Sequence, residues 1–168
     1  MPTPVAAYVG LGANLHEPVA QLRLAFAELG DLAETRVTAR SPLYRTAPIG
    51  PLAQPDYINA VACLETRLAP LALLAGLHAI ENTHGRRRDG ERWGPRTLDL
   101  DLLLYHDLSV TSSELTLPHP GLRERAFVLY PLSDIAPDLI IPGGDYVRTL
   151  REALIDPRIR RLEDERHV

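Results

Sequence analysis

Lysine is absent from this chain of 168 residues, so all 18 basic side chains are arginines. A Walker A loop and a protein-kinase strand each need their lysine, so both of those routes to ATP are closed. Schiff-base and pyridoxal chemistry are closed for the same reason. Any phosphate must then be handled by arginine, whose planar fork suits it. Cysteine occurs once, at Cys63. That excludes an internal disulfide and a multi-cysteine zinc site, and fits a reducing, cytoplasmic setting. No apolar run approaches the ~20 residues of a membrane span. The N-terminus lacks the basic stretch of a signal peptide, so none is expected. The net charge of −4 argues against a nucleic-acid binder working through broad electrostatics. What is present is ordinary for a globular chain, 45% apolar and 24% charged. The expectation is one domain over residues 1–168, not bound to membrane or nucleic acid, and monomeric.

Period and punctuation give the element order. Pro4 to Leu11 alternates as a strand, with a turn expected at G-L-G-A-N. Val19, Leu22, Phe26 and Leu29 recur three and four apart, which predicts a helix over 17–29 stopped at Gly30. Thr35 to Ser41 alternates as a second strand. The Pro- and Gly-rich stretch SPLYRTAPIGPLAQPD is expected to be an irregular loop. Tyr57 to Thr66 is a third strand, and Pro70 to Asn82 a second helix with Leu73, Leu77 and Ile80 on its stripe. A polar loop leads to a fourth strand, Thr97 to Tyr105. Beyond it the pattern predicts a short strand near Leu115, one or two short helices broken near Pro131, and a helix from Val147 to Leu154. The order β-α-β-β-α-β predicts an α+β, ferredoxin-like fold: an antiparallel sheet with both helices on one face, plus an additional C-terminal strand and helices.

The fourth strand carries T-L-D-L-D-L-L-L-Y. Side chains alternate along a strand, so Asp99 and Asp101 share one face while Leu98, Leu100 and Leu102 share the other, towards the helices. Two carboxylates at this spacing repel unless a cation intervenes. Mg²⁺ takes one or two carboxylates plus substrate phosphates; the alternative is a solvated strand face. The preceding loop holds Arg86, Arg87, Arg88, Arg92 and Arg96 within eleven residues. A cation-dense loop beside paired carboxylates is what phosphoryl-type transfer uses, whereas a solvated charge run is the plainer account. Elsewhere, Tyr57, Asn59 and Val61 share a strand face: a floor for a flat heterocycle, or a cross-strand aromatic contact. His119 lies between two prolines, with Arg125 and Phe127 following.

Taken together, YVGLGANL, SPLYRTAPIG, QPDYINAVACLET, GRRRDGERWGPRTLDLDLLLY and LTLPHPGLRERAFVLYPLSDIAPDL resemble the 6-hydroxymethyl-7,8-dihydropterin pyrophosphokinase family of folate biosynthesis. They fall in order across residues 8–139. The resemblance implies transfer of pyrophosphate from ATP, as co-substrate, to the pterin hydroxymethyl group, releasing AMP, with in-line attack on the β-phosphorus and two Mg²⁺ ions. By the same resemblance Asp99 and Asp101 are the metal ligands, and Arg86 and Arg96 the catalytic loop arginines. Glu81, Arg88, Trp93, Arg96, Leu102, Thr116, His119 and Arg125 fall to ATP. Tyr57 and Phe127 sandwich the pterin, Asn59 reads its polar edge with help from Thr46, Ala47, Pro48 and Ile49, and Trp93 and Asp99 also face it.

Some positions depart from the family pattern. His78 stands where glutamine is common, Glu114 where a basic residue meets ATP, and Ala13 replaces the serine of a G-S-N turn. Two other functions compete. A DxD-type sugar-nucleotide transferase would use the acid pair on a diphosphate, but 168 residues is short for one. An RNA-binding module would use the sheet for stacking, but the acidic balance and the face carrying Asp99 and Asp101 oppose it.

Overall fold

The computed structural model describes residues 3–47, 55–85 and 97–165. Its strands are Val5–Ala13 (β1), Thr35–Arg40 (β2), Tyr44–Thr46 (β3), Tyr57–Thr66 (β4), Asp99–Tyr105 (β5), Val110–Thr111 (β6), Thr116–Leu117 (β7) and Ile159–Arg161 (β8). Its helices are Pro18–Gly30 (α1), Pro70–Thr83 (α2), Ala126–Ile135 (α3), Val147–Ala153 (α4) and Leu162–Glu165 (α5). β1, α1, β2/β3, β4, α2 and β5 form the ferredoxin-like core. Its antiparallel sheet runs β5-β1-β4-β3-β8, with β2 also on β4. No helix among the described residues is long and apolar enough to cross a membrane.

One face of the sheet is closed by the two helices. Ala7, Val9, Leu11 and Ala13 of β1, Ile58, Ala60, Ala62 and Leu64 of β4, and Leu98, Leu100 and Leu102 at β5 meet Leu22, Phe26 and Leu29 of α1 and Leu73 and Leu77 of α2. Each leucine so buried contributes roughly 1.5–3 kcal/mol. The end of α2 is fastened to α1 by the buried His84, whose Nε2 lies 2.5 Å from Glu28 Oε1 and whose Nδ1 meets Gln21.

Half of the opposite face is covered by α3, which packs Val128, Leu129 and Leu132 on Val61, Leu103 and Leu104. The leucine run supplies that second contact through a bulge. Tyr8 pairs with Leu104 and Val9 with Leu102, so Leu103 is an extra residue in β5. Leu103 and Leu104 consequently belong to the same cluster although they are adjacent in sequence. The carbonyl of the bulged Leu103 accepts the His119 N–H at 2.9 Å.

Three expectations need correction. G-L-G-A-N is not a turn: β1 runs through it to Ala13, paired on both sides. The stretch expected as loop contains β3, which pairs with Tyr57–Asn59 of β4. It resumes the line of β2 after an interruption at Pro42, which has no N–H for a ladder. There Ser41 repairs the gap, its Oγ accepting the Val61 N–H at 2.9 Å. Pro131 does not break α3, which continues through it; the helix is held by its buried apolar face rather than by every backbone bond. The short strand expected near Leu115 is present as β7, paired with β6, and the additional C-terminal strand is β8, which joins the main sheet on β3.

Candidate active site

The half of the open face not covered by α3 is a cavity of about 390 Å³. It brings together Asp99 and Asp101 of β5, Gly10 and Gly12 of β1, Tyr57 and Asn59 of β4, Thr46 and Ala47 at the end of β3, Arg125 and Phe127 at the start of α3, and Arg158 just before β8. The alternation expected for β5 holds: Leu100 and Leu102 are buried under the helices, while Asp99 is half-buried and Asp101 exposed. In β4, Ile58 and Ala60 enter the helix-side core, leaving Tyr57 and Asn59 to the cavity.

The two glycines explain why the cavity exists. Gly10 lies opposite Asp101 and Gly12 opposite Asp99 on the neighbouring strand. On its other side Gly12 pairs with Asn59. A Cβ on Gly12 would stand 2.8 Å from Asn59 Nδ2, so the buried amide holds its place only above a bare backbone. The glycines therefore provide a floor between the acid pair and the Tyr57–Asn59 wall. Reading G-L-G as a turn missed this. The signal was available in the period-two spacing of the glycines within a strand-like run.

Other side chains are held by identifiable contacts. Glu81, at the end of α2, is only 2% exposed. Its Oε2 accepts the backbone N–H of Leu100 at 2.8 Å. The residue between the two aspartates is thus tied to α2 by a carboxylate. His119 Nδ1 accepts the Gly121 N–H at 3.1 Å, which leaves Nε2 as the protonated ring nitrogen when the imidazole is neutral. Burial lowers the His119 pKa below its ordinary value, with Asp101 opposing and Arg125 adding to that shift. The Arg125 guanidinium lies 5.8 Å from the centre of the Phe127 ring. It also passes over Gly121, where a Cβ would come within 2.3 Å of Arg125 Nε.

Of the residues expected at the site, Thr46, Ala47, Tyr57, Asn59, Asp99, Asp101, Arg125 and Phe127 line one cavity. Glu81, Leu102, Thr116 and His119 are not among its described lining residues. Leu102 is 3% exposed with its side chain in the helix-side core, so any nucleotide contact from it falls to the main chain. Pro48, Ile49, Arg86, Arg87, Arg88, Arg92, Trp93 and Arg96 lie outside the described residues. Arg158 was not expected, since its place depends on β8 adding to β3 across 113 residues of sequence (Thr46 to Ile159).

Asp99 and Asp101 can bring a cation to this cavity but do not form a cage. Among the described residues no group of three or more His, Cys, Asp or Glu side chains is disposed to hold a metal ion. Two same-face carboxylates with an open side suit Mg²⁺, which keeps waters and takes substrate oxygens for its remaining positions.

The family model for 7,8-dihydro-6-hydroxymethylpterin-pyrophosphokinase matches residues 8–137. A 2-amino-4-hydroxy-6-hydroxymethyldihydropteridine pyrophosphokinase from Pseudomonas aeruginosa is 50% identical over 155 residues, 92% of this chain and 95% of that protein. The protein of the same name from Haemophilus influenzae is 44% identical over 158 residues, 94% of this chain and 98% of that protein. The crystal structure of wild-type Plasmodium falciparum HPPK-DHPS shares the fold, with a TM-score of 0.75 at 12% identity over 96% of this chain and 48% of that one. The chain thus spans about half the length of that solved structure.

Proposed function

We propose, from the premise that the chain belongs to the 7,8-dihydro-6-hydroxymethylpterin-pyrophosphokinase family and is an ATP-using pyrophosphokinase, that it transfers pyrophosphate from ATP to the hydroxymethyl group of 6-hydroxymethyl-7,8-dihydropterin, with AMP as the leaving product. The observation that carries this reading is the juxtaposition in one cavity of an acid pair, Asp99 and Asp101, with an aromatic and amide wall, Tyr57, Asn59 and Phe127. A flat heterocycle held between Tyr57 and Phe127, its polar edge on Asn59, points its substituent along the glycine floor towards the acids.

The substrate oxygen attacks the β-phosphorus in line. The bond from that phosphorus to the oxygen bridging to the α-phosphorus breaks, and the hydroxyl gives up its proton. Asp99 and Asp101 would hold the two Mg²⁺ ions, and bound metal would supply neutralisation of phosphate charge and a lowered pKa for the attacking hydroxyl. Arg86 and Arg96 stabilise the charge developing on the transferring group, and Arg88, Trp93, Thr116, His119 and Arg125 hold the nucleotide. Glu81 acts from behind, keeping the Leu100 backbone in place between the two metal ligands. None of these groups need be a strong general base, because positioning and electrostatics dominate this class of transfer.

Incubation with ATP, Mg²⁺ and the reduced pterin alcohol is expected to yield AMP and the pterin diphosphate, followed by chromatography. Formation of ADP instead, or no pterin-dependent turnover, would overturn the assignment. Competition by a UDP-sugar rather than by an ATP analogue would point to the sugar-nucleotide alternative.

A further inference from the structure

The cavity continues past the amide wall to the end of β3, where one lining residue, Arg158, has no role in the proposed chemistry. There Thr46 and Ala47 at the end of β3 meet Arg158, on the turn before β8. Arg158 is held in one orientation by a fork to Asp156: Nε donates to Oδ1 at 2.9 Å and Nη2 to Oδ2 at 2.6 Å. That leaves Nη1 without a bonded partner among the described residues. The neighbouring Thr46 is 7% exposed, and its Oγ1 is buried with no hydrogen-bond partner. A cavity wall that carries both an unpartnered hydroxyl and a guanidinium with donors to spare can take a polar ligand atom.

The segment carrying Arg158 is fastened at several points. The Asp156 N–H donates to the Tyr130 hydroxyl at 3.0 Å, and that hydroxyl donates to the Leu154 carbonyl at 2.7 Å. Beyond Arg158, Arg161 donates through Nη2 to Asp134 at 2.6 Å and through Nε to the Tyr44 hydroxyl at 3.0 Å. The Tyr44 hydroxyl in turn donates to Asp134. A surface arginine with no task does not need so constrained a support.

The sheet order determines which part of a ligand this end of the cavity meets. In the order β5-β1-β4-β3-β8, the acid pair stands at one edge and Arg158 adjoins the other. If the substituent at ring position 6 faces β5, as the proposed function requires, the pyrimidine edge of the ring faces β3 and β8. That edge carries a carbonyl at position 4 beside ring N–H and amino donors. Arginine only donates, so it can recognise the acceptors of that edge, the carbonyl at position 4 or ring nitrogen 1, and only the first is lost when an amino group replaces the oxo group. A 4-amino group in that place would set donor against donor.

We propose that Arg158 is a substrate-specificity residue that recognises the 4-oxo group of the pterin and discriminates against 4-amino rings. This rests on the pterin reading of the cavity. The test is equilibrium binding of 6-hydroxymethylpterin and of 2,4-diamino-6-hydroxymethylpteridine, followed by ligand fluorescence in the presence of Mg²⁺ and a non-hydrolysable ATP analogue. The full chain and its Arg158→Ala, Arg158→Gln and Asp156→Asn variants are compared. The unaltered chain should prefer the 4-oxo ring by about tenfold or more, because a site built around a hydrogen bond rejects the ligand that cannot make it. Arg158→Ala and Arg158→Gln should bring the two affinities close together by weakening the 4-oxo ligand, with affinity for the ATP analogue unchanged. Asp156→Asn, which loosens the arginine without removing it, should fall between. A preference that survives in either Arg158 variant overturns the proposal, as does a parallel loss of both ligands. If the unaltered chain binds neither pteridine, the pterin reading itself has failed, which is a separate result.

Discussion

Strand β5 shows two opposite environments one residue apart. Leu100 and Leu102 are buried among α1 and α2, in contact with side chains that serve only packing. Asp99 and Asp101 stand on the cavity face, half-buried and exposed, where like charges would weaken an ordinary strand. The same contrast runs across the sheet: β4 buries Ile58, Ala60, Ala62 and Leu64 on the helix side and presents Tyr57 and Asn59 on the other. Packing fills the whole helix-covered face and the half of the other face under α3, chemistry takes the half left open, and the period-two geometry of a strand separates the two faces. Substitutions on the two faces should therefore have separable consequences.

The largest expected effect is on the open face. Asp99→Ala should lower AMP formation by about a thousandfold or more, since a ligand to charge-neutralising metal is lost. Its urea midpoint should shift far less than that of a core truncation, because the side chain lies outside the packed helix-side core. Full activity in that variant would break the comparison at its centre. On the closed face, Leu64→Ala should cost roughly 2–5 kcal/mol of unfolding free energy. The folded fraction should keep its kcat. A matching loss of kcat at constant fold would show that the two faces are not independent.

A smaller effect tests the floor between them. Gly12→Ala puts a Cβ 2.8 Å from Asn59 Nδ2. KM for the pterin should rise about tenfold, the scale of a disturbed polar contact, with little change in KM for ATP. An unchanged pterin KM would remove Asn59 from recognition.

The smallest effect lies in the C-terminal clamp. Burial pushes the Tyr44 phenol up to about 12, with Arg161 opposing and Asp134 adding to the shift. Above pH 10 the unfolded tyrosine loses its proton while the folded one keeps it, so stability is fully present below pH 10 and falls as pH rises towards 12. Tyr44→Phe should flatten part of that alkaline loss, read as the urea midpoint between pH 9 and 12. Burial raises Tyr8 and Tyr105 in the same direction, so part of the slope should remain.

The elements legible from sequence were those whose own residues carry their period. β4 matches its expected bounds, and α2 ends one residue later than expected, because alternation and a three-four stripe are local properties. The faces of Asp99, Asp101, Tyr57 and Asn59 followed from the same local rule. What was not legible depended on distant partners. β3 has only three residues, between stretches rich in proline, and is a strand because β4 and β8 flank it. α3 passes Pro131 because its apolar face is buried on the sheet. Gly10 and Gly12 resembled turn residues because a glycine has no side chain to show which face it leaves empty. Arg158 becomes a cavity residue only once a C-terminal strand is added to the edge of the sheet.

The extra residue in β5 ties the length of the leucine run to the segment that carries His119. Before Leu103 the strand is in phase with the helix-side core, and after it the phase is reversed to meet α3. Deleting Leu103 would close the bulge and leave the pairs Gly10–Asp101, Val9–Leu102, Tyr8–Leu104 and Ala7–Tyr105 in step, but it would take away the carbonyl that accepts the His119 N–H. The number of leucines here thus bears on where the His119 segment is anchored, not on whether β5 pairs with β1.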